Sequence, residues 1–390
     1  MKTSKLLAAL AALMLVLAAC TEAADTTTTT SGEAPETTEA GGDETTTSAA
    51  GEETTTTAGE EAPAGDGKLA EIQARGNLIC GVNNTVPGFG FVDEAGEHVG
   101  FDIDFCRAVA AGVLGDAEAV EFVDLTAEQR FTALQANEVD VLIRNTTFTS
   151  SRDGGLGATF LTTTYYDGQG MMVGADSGFT TIDDMTDTTI CVLSGTTTEL
   201  NLTARMGDIA YTPLTFDENP QIQAAFIEGQ CDGWTSDKSQ LAGVRSAWPE
   251  DQGGPEALVI LEEVFSKEPL GPAVLDGDSQ WAQAVDWIVL STMQAEEFGI
   301  DSTNVDTFTD STDTNIRNFL GLPVETDEGT APFDPGLGLA TDFAAQVITQ
   351  VGNYAEIYDR NVGEGSPLAL PRQFNALWTD GGLHYPPPYR

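Results

Sequence analysis

Leu78-Ile79-Cys80-Gly81-Val82 is a short apolar run that reads as a strand, and the stretch from it to Arg144 decides the fold. A loop carrying Pro87, Gly88, Gly90 and Gly96 leads into a helix predicted from Ile103 to Val113. Ala119-Val120-Glu121-Phe122-Val123 reads as a second strand, Ala127 to Ala136 as a helix, and Val139 to Arg144 as a third strand. Strands separated by helices of about ten residues predict a parallel sheet. The pattern restarts after Gly174, with a helix at 182–186 and a strand from Thr189 to Leu193. Gly195-Thr196-Thr197-Thr198-Glu199 then opens a helix, Pro220 to Glu228 forms another, and Cys231 to Thr235 a strand. Two α/β lobes are expected, and the space between them is the natural place for a small ligand.

The N-terminus says where such a chain works. Leu6 to Ala19 is an apolar run of 14 residues behind Lys2 and Lys5. That suits a secretion signal and is too short to span a bilayer. It ends in Leu17-Ala18-Ala19-Cys20, which resembles a lipobox, where cleavage precedes Cys20 and its thiol takes a lipid. Residues 1–19 are therefore read as a lipoprotein signal peptide. Residues 20–67, the lipidated Cys20 and a run rich in Thr and Glu without Lys or Arg, are read as a disordered tether. The expected location is extracytoplasmic, anchored to the cell membrane by an N-terminal lipid.

Charge excludes some partners. The chain has 390 residues, 16 basic and 62 acidic, for a formal net charge of −46. Without the signal lysines and the tether acids, 14 basic and 50 acidic residues remain, a balance near −36. Nucleic acid and anionic lipid headgroups are implausible partners for such a surface. Beyond Cys20 the cysteines are Cys80, Cys106, Cys191 and Cys231, an even number for an oxidising compartment. Three pairings are possible. Cys80–Cys106 with Cys191–Cys231 is favoured, because each pair joins neighbouring elements, and four buried free thiols are the alternative. With only His98 and His384, a metal site is not expected. No cofactor is called for.

A resemblance rests on Gly100-Phe101-Asp102-Ile103-Asp104-Phe105, Asp124-Leu125-Thr126, Arg130-Phe131-Thr132-Ala133-Leu134, and Glu138-Val139-Asp140-Val141. It continues through Arg144-Asn145-Thr146-Thr147, Ser151-Arg152-Asp153, Tyr166-Asp167-Gly168-Gln169-Gly170, Gly195 to Asn201, Cys231-Asp232 and Ser236-Asp237. Ser266-Lys267-Glu268-Pro269-Leu270-Gly271-Pro272 and Asn375-Ala376-Leu377-Trp378 complete it. In order and spacing these residues resemble the extracytoplasmic solute-binding proteins of polar amino-acid ABC transporters, in particular the general L-amino-acid branch.

The resemblance implies a two-lobe Venus-flytrap fold of the periplasmic-binding-protein type, with two hinge crossings and a helical C-terminal elaboration. Lobe one would comprise 68–168 and 272–390, lobe two 174–264, with crossings near Gly168–Val173 and Phe265–Val274. It also implies a monomer that captures L-amino acids with broad specificity and delivers them to ABC permease subunits. Two alternatives to this reading are a prephenate- or arogenate-dehydratase-like enzyme on the same fold and a ligand sensor for a membrane receptor. No activated nucleophile, metal constellation or phosphate loop supports an enzyme.

An amino acid presents a carboxylate and an ammonium at fixed separation. Arg152 offers a bidentate fork to the carboxylate. Asn145 and Thr147 follow a strand, where parallel sheets place ligands. Gly195, Thr196 and Thr197 form a strand-to-helix turn whose backbone N–H groups and positive helix end suit a carboxylate. By resemblance, Asp237 receives the ammonium and Phe89 is the aromatic of the first ligand loop. Val86 stands where many relatives carry a stacking aromatic, which points to a wider pocket. Arg144 is a candidate partner for an acidic ligand side chain or for one of the protein's own carboxylates.

Overall fold

The computed structural model describes residues 67–326 and 329–390. The signal peptide, Cys20 and nearly all of the tether lie outside the described residues. Among the described ones, Leu78–Val82 pairs in parallel with Val120–Asp124 on one side and Val141–Leu142 on the other. Ala273–Leu275 and then Ala158–Phe160 continue this five-stranded sheet in antiparallel sense. A second five-stranded sheet runs Tyr211–Phe216, Thr188–Leu193, Gly233–Asp237, Gln169–Gly174, Leu258–Ile260. Its first three strands are mutually parallel, and Gln169–Gly174 lies antiparallel to both of its neighbours. Strands joined by helices are thus parallel, as the alternation predicts, and the strands where the chain crosses between halves reverse.

The halves are joined by a two-stranded antiparallel ribbon, Tyr165–Asp167 against Glu268–Leu270. Because Gln169–Gly174 is part of the second sheet, the outgoing crossing is complete at Gly168 rather than spread to Val173.

Helix Phe101–Leu114 is buried almost all round, as an apolar helix must be. It lies against strand Leu78–Val82 and under helices Ser279–Phe298 and Phe343–Gln350. Gly100 starts it at φ 132°, and a Cβ there would overlap the carbonyl oxygen of Phe89. That carbonyl accepts the Asp102 N–H at 3.0 Å, and Gly88 accepts that of Phe101 at 2.9 Å. The loop after the first strand therefore caps this helix. The helical C-terminal elaboration includes two consecutive helices, Phe343–Gln350 and Tyr354–Asn361. Gly352, at φ 100°, ends the first, and Asn353 with Glu356 forms a capping box that starts the second.

Cys80 is bonded to Cys106, tying the first strand to the first long helix, and Cys191 to Cys231 within the second half. Trp281 is buried and donates to the Asp140 carbonyl at 2.9 Å, and Trp287 meets Tyr389 edge-on. Trp378 lies half-exposed against Tyr385.

Candidate functional site

The two sheets point the loops at their strand ends toward one another. From the first half, strand Val141–Leu142 runs into Arg144, Asn145, Thr146 and Thr147. Asn145 adopts φ 33° and its N–H donates to Asp102 Oδ2 at 2.6 Å. Its side chain accepts from Asn83 and donates across the cleft to Gln240 Oε1, both at 3.2 Å. Helix Ser150–Gly155 is capped by Thr149 and carries Arg152, whose Nη1 donates to the Thr147 carbonyl at 2.9 Å. The guanidinium of Arg152 lies over Phe131, 5.4 Å from the ring centre, and that of Arg130 lies 5.5 Å from the same ring.

From the second half, Gly195 turns at φ 68°, and Thr196 caps helix Thr197–Met206 by accepting the Glu199 N–H at 3.1 Å. The hydroxyls of Thr197 and Thr147 meet across the cleft at 3.3 Å, and Arg130 Nη2 reaches the Gly195 carbonyl at 3.3 Å. Asp237 ends strand Gly233–Asp237 and is buried, with its Oδ1 unpartnered among the described residues. Glu268 of the ribbon is also buried and accepts from Thr197 and Asn201, each at 2.8 Å.

The electrostatics are those of a charged site taken out of water. Arg130, Arg144 and Arg152 are all buried, and none lies within ion-pair distance of a carboxylate among the described residues. Burial lowers all three below the usual guanidinium range, Arg144 to about 10. Burial, then the nearby Asp167 and Glu268, pushes the Asp237 carboxyl well up, while Arg130 and Arg152 pull it down. Burial also raises Asp167 and Asp102 to about 6 each. Such clusters of perturbed groups mark functional sites more often than structural ones.

Asn145, Thr147, Arg152, Gly195, Thr196, Thr197 and Asp237 thus converge on the space between the halves. Phe89 does not. It is buried in the first core, edge-on to Tyr165 at 5.1 Å and tilted on Phe101 at 5.7 Å, because its backbone caps helix Phe101–Leu114. Val86 is buried in the same core, so its size does not set the width of the cleft. The sequence reading gave no role to Arg130, Gln240, Asn83 or Glu268. Scarcity was the available signal for Arg130, one of 16 basic residues in a strongly acidic chain. Gln240 carried none. No group of three His, Cys, Asp or Glu among the described residues is placed to hold a metal ion.

Two α/β halves hinged on a two-stranded ribbon, with buried charges of both signs between them, define the two-lobe architecture of periplasmic binding proteins. Residues 78–364 match the model of the bacterial extracellular solute-binding proteins, family 3, and the chain belongs to that family. It is 46% identical over 324 residues to the general L-amino acid-binding periplasmic protein AapJ of Rhizobium johnstonii, covering 83% of this chain and 92% of that one. It is 44% identical over 325 residues to the glutamate/glutamine/aspartate/asparagine-binding protein BztA of Rhodobacter capsulatus, covering 83% and 93%. Among solved structures it is similar to an ABC transporter periplasmic binding protein from Brucella ovis with glutathione bound. There the TM-score is 0.78 at 44% identity, over 83% of this chain and 99% of that one.

Proposed function

We propose that this protein is an extracytoplasmic receptor for L-α-amino acids. It closes lobe one, 68–168 with 272–390, onto lobe two, and hands the ligand to the membrane subunits of an ABC permease. The observation that carries the reading is the buried, unpartnered oxygen of Asp237 opposite the guanidinium groups of Arg130 and Arg152. A free amino acid supplies the missing charges of both signs. Its ammonium meets Asp237. Its carboxylate takes the Arg152 fork together with the N-terminus of helix Thr197–Met206 and the hydroxyls of Thr147 and Thr197. Asn145 and Gln240 close over it.

These contacts address groups that every amino acid shares, so the reading includes broad specificity, in line with AapJ, a general L-amino acid-binding protein. The protein acts as a monomer tethered through lipid on Cys20.

The test is thermal unfolding of the protein against each of the twenty L-amino acids. A ligand at one hundred times its dissociation constant adds about 2.7 kcal/mol, a shift of several degrees. Several chemically different amino acids should shift the transition, and Arg152→Ala should abolish the shifts. A protein whose transition no amino acid moves refutes the reading.

A further inference from the structure

We propose that five neutral side chains, Asn83, Thr85, Asn145, Asn219 and Gln240, form a latch that holds the two lobes shut, with Thr85 and Asn219 positioning the closed site from outside it. The inference goes beyond the amino-acid-binding reading above, since it names what closes the site and not what fills it. It rests on that reading for the ligands of its test.

The five side chains are joined in a ring of hydrogen bonds. Asn83 Nδ2 donates to Asn145 Oδ1 at 3.2 Å, and Asn145 Nδ2 to Gln240 Oε1 at 3.2 Å. Gln240 Nε2 donates to Asn219 Oδ1 at 3.0 Å, and Asn219 Nδ2 to Thr85 Oγ1 at 3.2 Å. The Thr85 hydroxyl completes the ring by donating to Asn83 Oδ1 at 3.0 Å. Every member donates to the next and accepts from the one before, an arrangement in which each bond polarises its neighbours. Asn83, Thr85 and Asn145 belong to the first half, on the segments that follow strands Leu78–Val82 and Val141–Leu142. Asn219 and Gln240 belong to the second, in the first turns of helices Asn219–Ile227 and Lys238–Ser246. The ring therefore crosses between the halves twice, at Asn145–Gln240 and at Asn219–Thr85.

Burial gives these bonds their weight. Asn83, Gln240 and Asn219 are 2%, 3% and 4% exposed. A buried amide that loses its partner costs more than a satisfied one contributes, so removing one member is felt by its neighbours. None of the five side chains bonds to a charged group among the described residues. A neutral latch escapes the salt screening that weakens ion pairs, which suits a chain of net charge −46. Asn83, Asn145 and Gln240 border the central cleft with Thr197 and Asp237, whereas Thr85 and Asn219 border the adjoining space instead. Bonds made by the protein alone shift the balance between open and shut lobes, and so change every ligand's affinity by one factor. A closure contribution blind to the ligand's side chain fits the broad specificity proposed above.

Calorimetric titration of the full chain with L-glutamate, L-alanine and L-leucine tests this. Thr85→Val removes the hydroxyl and keeps the shape, and Asn219→Ala removes its partner. Each should weaken binding of all three amino acids about three- to tenfold, by factors that agree within about twofold. The double variant should lose little more than Asn219→Ala alone, because the same bond is already broken. Thr85→Ser, which keeps the hydroxyl, should bind as the native protein does, and the factors should persist at high salt. Native affinity in both single variants overturns the proposal. So do factors that differ between amino acids, or that multiply in the double variant. The two single variants break one bond from opposite halves, so either decides if the other does not fold. Binding of none of the three amino acids overturns the amino-acid reading alone. Small-angle scattering then judges the latch: the double variant should be more extended than the native protein, and equal dimensions overturn it.

Discussion

Asp102 shows how a single residue joins fold to site. It lies in the first turn of helix Phe101–Leu114, buried, and positions Asn145 through a 2.6 Å bond. Burial pushes its carboxyl up to about 6 from 3.8, although the Asn145 N–H and Arg144 both pull it down. Between those values the folded protein holds a proton that the unfolded chain has released. Stability therefore falls as pH rises from about 4 through 6, and a shift of that size corresponds to about 3 kcal/mol. Asp102→Asn keeps an acceptor for Asn145 and removes the titration. Urea unfolding at pH 4 and 7.5 should show the variant losing about 2.4 kcal/mol less than the native protein over that interval. An unchanged difference would mean that the carboxyl titrates normally. At this scale the placement of Arg152 and Thr197 beside the cleft was legible because it follows from residue type and local position. Phe89 was not, because an aromatic after a strand looks the same whether its ring faces a ligand or a core.

Among elements, helix Lys238–Ser246 shows what closure demands. Gly243 faces the carbonyl oxygen of Pro87 in the first half, and a Cβ at 243 would overlap it. Gly243→Ala should hold the halves apart and weaken ligand binding by about 1–3 kcal/mol, roughly five- to 150-fold. The ligand-free protein should melt no lower, since alanine favours a helix over glycine. Titration calorimetry with a thermal melt checks both, and unchanged affinity would remove this contact from the bound state. Most elements were readable because periodicity is a local property of the chain. Strand Tyr211–Phe216 was not anticipated. It carries Pro213, which argues against a strand, but it pairs only with Thr188–Leu193 at the sheet edge, where proline is tolerated. The break at Gly352-Asn353 was readable in retrospect from a glycine followed by a capping pair.

For the whole molecule, charge and attachment matter most. A chain of net charge −46 gathers three of its 16 basic residues, Arg130, Arg144 and Arg152, buried between its halves. Basic residues spent inside a cleft rather than on the surface serve a bound solute, not an extended polyanion. The proposed anchor makes a prediction of its own. Cys20→Ser should move the protein from the membrane pellet to the soluble fraction of fractionated cells. A native protein already in the soluble fraction would count against lipidation. The α/β alternation, the acidic balance and the residue types suited to a zwitterion are fixed by local order along the chain, and the sequence by itself determined them. Tertiary structure alone decided which strands reverse, that the Phe89 ring is buried in the first core, and that Arg130, Gln240 and Glu268 lie beside the residues predicted for the site. Those outcomes depend on which distant segments meet and on how much water their meeting excludes, and neither quantity is written in any one stretch of sequence.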